Sequence, residues 1–151
     1  MKKAGLIWLA ALLALPGCAS VTLKPVDFSW SFESVLTADS AGYAKGEPKT
    51  IAFDAKELFR AETKDPGAAA GATVRVIRDR DGYYYITAAG FKHVYVFKGA
   101  RGALKLEKKV LIAEQGMEKP FFNRRDQGIE LAANGQAYLL SRKGIVPGVK
   151  K

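Results

Sequence analysis

The sequence has one cysteine, Cys18, and one histidine, His93, among its 151 residues. A lone cysteine excludes an internal disulfide framework. One histidine with no second thiol leaves no donor spacing of the kind zinc needs, so neither a metal nor a cofactor is expected. A Gly-x-Ser-x-Gly elbow and a glycine-rich phosphate loop are also missing, and no pair of carboxylates stands out for sugar hydrolysis. These gaps argue against an enzyme. The opening apolar run, Ala4 to Leu15, is twelve residues, whereas a spanning helix takes about 20. There is no Ser/Gly/Pro linker and no low-complexity segment, which points to one domain. Acidic residues are scarce beside basic ones, 15 against 24, for a net charge of +9. That balance points to acidic partners or to plain solubility.

What is present is clearest at the start. Lys2 and Lys3 precede the apolar run, which fits a secretory signal. The run ends in Leu15-Pro16-Gly17-Cys18, which resembles the lipobox of bacterial lipoproteins. The resemblance implies cleavage before Cys18 and a diacylglycerol, with palmitate-type chains, on its sulfur. Several chains anchor stably, each buried methylene contributing about 0.8 kcal/mol. Ala19 and Ser20 are not acidic. By resemblance to Gram-negative lipoproteins, that implies delivery to the outer membrane, facing the periplasm. The expected organisation is a cleaved signal over 1–17, a lipidated start and tether over 18–27, a β-rich domain over 28–147 and a tail over 148–151. Without 1–17 the chain keeps 134 residues and a charge of +7. Export removes nucleic acid from the expected partners. It leaves the membrane through the acyl chains on Cys18, an envelope protein, and acidic glycans or lipid headgroups. The nine residues from Ala19 to Asp27 reach about 30 Å when extended, which keeps the domain near the surface.

Past the tether, the pattern predicts a mainly β fold of antiparallel meanders, about seven or eight strands, with one short helix, sandwich-like or blade-like. Phe28 to Leu36 reads as a first strand with an aromatic face of Phe28, Trp30 and Phe32. Residues 39–48 read as turn, and Thr50 to Phe53 as a short strand. Asp54 and Glu57 have capping-box spacing, and Phe53 and Leu58 that of a hydrophobic staple, ahead of a helix over about 55–63. Asp65-Pro66-Gly67 stops it, and 68–72 reads as a mobile loop of small residues. Strands are expected at 73–78, 83–88, 91–98 and 104–113, then an irregular stretch over 115–127. A hairpin over 128–141 turns at Asn134-Gly135, and Arg142-Lys143-Gly144 turns the chain once more.

Asp81-Gly82-Tyr83-Tyr84-Tyr85-Ile86, a short turn, and His93-Val94-Tyr95-Val96-Phe97 together resemble one blade of an NHL-type β-propeller. Here His93 replaces the usual arginine and Ala88 the usual aspartate. Asn134-Gly135-Gln136-Ala137-Tyr138-Leu139 repeats the opening of that pattern. A closed propeller needs at least four blades, so the resemblance implies two blade-like meanders packed together, with no function carried over. Asp79-x-Asp81-Gly82 has the look of a calcium-loop centre. The loop would begin at Ile77 and end at Ala88, neither of which ligates, so it reads as a turn.

A basic, aromatic ledge sets Arg75, Arg78 and Arg80 against Tyr83 and Tyr85, and the candidate binding surface is Arg78, Arg80, Tyr83 and Tyr85, with His93, Arg124 and Arg125. A two-residue turn at Asp81-Gly82 would pair Arg80 with Tyr83 and Arg78 with Tyr85. A four-residue turn would pair Arg78 with Tyr83. An ordinary solvated sheet face stands as the plain alternative. The functional expectation is a non-enzymatic envelope lipoprotein that acts as an accessory or scaffolding subunit for a protein partner. Its alternative is a binding module for an acidic glycan or lipid headgroup.

Overall fold

The computed structural model describes residues 27–46 and 51–148. Three antiparallel sheets hold eleven strands, more than the seven or eight expected. In chain order the strands are β1 (Ser34–Thr37), β2 (Tyr43–Lys45), β3 (Ala52–Asp54), β4 (Thr73–Arg78), β5 (Tyr83–Ala88), β6 (His93–Ala100), β7 (Ala103–Leu111), β8 (Phe121–Arg125), β9 (Gly128–Ala133), β10 (Gln136–Ser141) and β11 (Gly144–Ile145). One sheet runs β1-β4-β5-β6-β7 and a second β11-β10-β9-β8; β2 and β3 form a separate ribbon. Thus β4 to β7 and β8 to β11 are each an up-and-down meander of four strands.

The middle of the larger sheet is buried on both faces, which explains why β5 shows burial along nearly its whole length, while the outer strand β7 is largely exposed. Val76, Ile86 and Tyr95 lie in register across β4, β5 and β6 on one face; Ile77, Tyr85 and Val96 lie in register on the other. The first face carries helix α1 (Lys56–Thr63), where the Phe59 ring meets Phe91 edge-on at 4.8 Å. The second face takes the smaller sheet, with β8 lying against β4 and β11 against β7. Ile129, Leu131, Leu140 and Phe122 close that side of the core. Each such side chain contributes about 1.5–3 kcal/mol when fully buried.

Helix α1 forms where the sequence predicts it. Ala55, Leu58, Phe59 and Glu62 recur at helical spacing and face the sheet. Asp54 Oδ1 accepts from the Lys56 amide at 2.9 Å, but Glu57 pairs with Arg60 rather than completing a capping box. Lys64, left-handed at φ 66°, ends the helix. The following small residues are not a loose loop: Pro66–Ala69 makes a 3₁₀ turn, capped by Asp65, with Ala69 fully buried.

Three expectations need correction. Phe28 to Phe32 precede β1 rather than forming it. The Phe28 and Trp30 amides donate to the carbonyls of Arg80 and Arg78, strapping this segment beside β4, and Phe32 is 84 % exposed. The turn region 39–48 contains β2, and the irregular stretch 115–127 contains β8. Of that first segment only Trp30 packs inward, edge-on to Tyr84 at 5.6 Å.

One acidic side chain ties the two large sheets together. Glu33 Oε1 pairs with Arg75 of β4, and Glu33 Oε2 accepts from the Phe122 amide of β8 at 2.8 Å. Glu33 is only 16 % exposed. Glu33→Ala leaves the amide and the guanidinium without this acceptor and is expected to cost about 2 kcal/mol. A lower urea midpoint with an unchanged slope is the expected readout.

Candidate functional site

At one end of the sandwich the sheets part to leave a cleft of about 280 Å³. Its walls are hairpin turns. Arg80 comes from the β4–β5 turn, Arg125 from the end of β8, Asp126 from the β8–β9 turn, and Arg142 and Lys143 from the β10–β11 turn. Arg124 and Ser29 complete the rim, and Tyr85, Ile129 and Leu140 form the floor.

The β4–β5 turn is built by Asp79. Its Oδ1 accepts from the amides of Asp81 at 3.0 Å and Tyr83 at 2.8 Å, and its Oδ2 accepts from the Tyr85 hydroxyl at 2.9 Å. Gly82 takes φ 85°, as the closing residue of a three-residue loop must. The register that results is neither of the two expected: Arg78 pairs with Tyr84, and Ile77 with Tyr85. A slip of one residue moves every side chain to the opposite face, so the expected ledge does not form. Tyr83 and Tyr85 turn inward, and Arg78 lies on the opposite face.

Each predicted residue therefore has a different setting. The Arg78 guanidinium sits 5.0 Å from the Phe28 ring and 4.9 Å from the Tyr84 ring, with its Nε buried and without a hydrogen-bond partner. Arg78 clamps the strap rather than facing a ligand. Tyr83 is buried, and its hydroxyl accepts from Arg142 Nη1 at 3.2 Å. Tyr85 has no exposed surface; burial, then the Asp79 charge, pushes its hydroxyl far above the usual tyrosine range. It stays a neutral donor that holds the floor. Arg80 lies 3.8 Å from Asp27 and 3.6 Å from Asp126, Arg124 lies 3.2 Å from Asp27, and Arg125 pairs with Glu130 at 2.5 Å. The Ser29 hydroxyl, then the Ser29 amide, holds the Asp27 carboxyl below its usual range, with Arg124 and Arg80 adding to the effect.

So the structure brings Arg80, Arg124 and Arg125 together, with Tyr85 beneath them. Arg142 and Lys143 join them. Sequence reasoning marked this pair only as a turn; two adjacent cations in a hairpin loop were the available signal. Neither has a carboxylate within ion-pair distance among the described residues.

His93 lies elsewhere, at the opposite end of the large sheet. Its Nδ1 is 2.8 Å from Glu62 Oε1, which also accepts from the Tyr95 hydroxyl at 2.7 Å; Glu62 Oε2 accepts from the Lys92 amide at 2.8 Å. Lys109 Nζ stands 3.9 Å from the same carboxylate. Both carboxylate oxygens are thus engaged, and burial, then Glu62, pushes the Tyr95 hydroxyl above the usual tyrosine range. This cluster pins α1 to β6. A separate concavity of about 560 Å³ runs between the β2–β3 ribbon and the large sheet, lined by Tyr43, Phe53, Leu58, Tyr84, Phe97 and Leu104.

Cys18 lies outside the described residues. Among the described residues there is no cluster of three or more His, Cys, Asp or Glu side chains able to hold a metal, and no helix long and apolar enough to cross a membrane. Comparison with protein-family models, curated proteins and solved structures finds no match to the chain.

Proposed function

We propose that this chain is a lipid-anchored, non-enzymatic protein of the cell envelope, held at the outer membrane facing the periplasm, whose sandwich is a binding module for an anionic group. Two features carry the reading. The sequence supplies a lipobox-like end to its signal, and the residue where the tether meets the domain, Asp27, is ion-paired to Arg124 at the rim of the arginine cleft. The cleft offers cations without a catalytic constellation: its acids are engaged in the turn or with arginines, or sit exposed at the loop tips. That suits recognition of a carboxylate, sulfate or phosphate, such as an acidic glycan or a lipid headgroup carries. Nucleic acid has no place among the partners of an exported chain.

Mass spectrometry of the mature protein is expected to find residue 18 as the N-terminus with a thioether-linked diacylglycerol. Cys18→Ser is expected to lose the anchor and leave the domain folded, since among the described residues the buried hydrophobic side chains run from Leu36 to Leu140. Membrane-bound protein with Met1 attached and Cys18 unmodified would overturn the anchoring. For the module, joint charge reversal at Arg80, Arg124, Arg125 and Arg142 is expected to abolish binding of an acidic glycan or lipid.

A second reading, an accessory subunit for a protein partner, is favoured by the aromatic-lined groove beside the β2–β3 ribbon. It requires an envelope protein to copurify with the wild type at moderate salt and to persist in the charge-reversed variant.

A further inference from the structure

The two meanders place their turns in alternation. In the large sheet the β4–β5 and β6–β7 turns share one end, and the β5–β6 turn lies at the other. In the small sheet the β8–β9 and β10–β11 turns share one end, and the β9–β10 turn lies at the other. The cleft joins the β4–β5, β8–β9 and β10–β11 turns, so all four of the first-named turns crown the same end. Three carry a cation, Arg80, Arg101, and Arg142 with Lys143, and the fourth, Asp126-Gln127, follows Arg125 at the end of β8. The tether enters here as well, because the Phe28 amide bonds to the Arg80 carbonyl and Asp27 pairs with Arg124. The far end has neutral turn tips, Ala89-Gly90 and Asn134-Gly135.

We infer that this crowned end lies directly on an anionic bilayer, so that the headgroup phosphates of the anchoring membrane are the ligand of the cationic surface. The inference rests on the anchoring proposed above and names the partner of the same site. Charge placement is the first argument. Lys98 and Lys105 face each other across β6 and β7, Lys98 pairs in register with Tyr83, and Arg142 lies over the Tyr83 ring at 5.7 Å. With Arg101 and Lys143 they make an exposed group that has no carboxylate within ion-pair distance among the described residues. Of the acids at this end, Asp27 pairs with Arg124 and Asp79 is held inside its turn, while Asp81 and Asp126 stay exposed at the loop tips, Asp126 3.6 Å from Arg80. The second argument is reach. A nine-residue tether spans at most about 30 Å, so the end that receives it stays within reach of the headgroups. The third is the strap beside the cleft, whose Phe28 and Phe32 are exposed apolar rings of the kind that bury at the boundary of headgroups and acyl chains. Each cation near an anionic surface favours contact by about fivefold.

The test uses the mature lipidated protein reconstituted in vesicles of phosphatidylcholine alone or mixed with phosphatidylglycerol. Amide hydrogen exchange reads contact segment by segment. The turns at 79–82, 101–102, 126–127 and 142–143 are expected to slow at least about fivefold on the mixed vesicles only, and to recover in about 0.5 M salt, where screening is short-ranged. Reversing Lys98, Arg101, Arg142 and Lys143 to glutamate is expected to abolish this protection, while reversing Lys92 and Lys119 at the far end leaves it intact. Equal protection on neutral vesicles, or protection at Ala89-Gly90 and Asn134-Gly135 instead, overturns the inference. So does equal protection by inorganic phosphate without vesicles, which would assign the cations to a soluble anion. The mass of the N-terminal peptide in the same samples reports the anchor separately. If Cys18 carries no lipid, exchange measured on protein sedimented with mixed vesicles still decides the docking face.

Discussion

Glu62→Ala is expected to lower the stability of the domain by about 3 kcal/mol or more, because it removes one partner from a buried, hydrogen-bonded charge cluster. The carboxylate is 1 % exposed and accepts from the Lys92 amide and the Tyr95 hydroxyl while lying 2.8 Å from His93 Nδ1. Alanine leaves all three groups without that partner and opens a cavity beneath the last turn of α1. For a domain of this size the melting temperature should fall by roughly 10 °C. Glu62→Gln keeps the volume and one acceptor oxygen but brings an amide donor towards groups that already donate, so an intermediate loss is expected. A melting curve indistinguishable from wild type in both variants would show that α1 is held by its apolar contacts with Phe91 alone. Neither substitution should disturb the arginine cleft, which lies at the other end.

Gly128→Ala is expected to cost about 3 kcal/mol and to deform the cleft as well. Gly128 opens β9 at φ 153°, where side chains are strained, and a Cβ there would stand 2.5 Å from the Leu140 carbonyl oxygen. That oxygen belongs to β10, which pairs with β9 one residue away at Ile129. The clash can be relieved only by parting the two central strands of the small sheet, and both Gly128 and Leu140 line the cleft. Denaturant unfolding should therefore report the loss, and exchange at 126–127 and 142–143 should quicken before the far hairpin responds. Wild-type stability in this variant would show that the strands can shift at little cost.

Much of the strand pattern was legible because its turns carry their own chemistry. Asn134 and Gly135 both sit left-handed, at φ 52° and 72°, as a two-residue hairpin requires, and β9 and β10 follow on either side as the sequence predicts. The limits of β4 and β5 were equally plain; their register was not. Asp-Arg-Asp-Gly admits loops of two, three or four residues, and the choice is set by the Asp79 carboxylate bonding forward to two amides and to the Tyr85 hydroxyl. Two of those bonds are local, but the third depends on Tyr85 being buried beneath the second sheet. The difference of one residue decided the fate of the expected ledge. Strand β8 was hidden by Pro120 and by the pair Arg124-Arg125, which read as irregular until β9 supplied a partner. β2 is three residues long and owes its form to β3 beyond it. Within the cleft, Arg80 and Arg124-Arg125 were visible separately, but their meeting depends on sheet stacking, which no local pattern encodes.

Strand β7, nine residues long, has an outer edge with no strand beside it among the described residues. Edges of that length invite pairing with a second copy. Attachment to a membrane confines copies to a plane and turns them to a common height, so such edges would meet far more often than in free solution. The outer strand answers with Lys105, Lys108 and Lys109, and with a bulge that leaves Glu107 without a partner across the ladder. Two facing copies would bring like charges into opposition and mismatched ladders into contact. Under the anchoring proposed above, the lysines that make this protein basic would thus also let many molecules share one surface without knitting into a sheet.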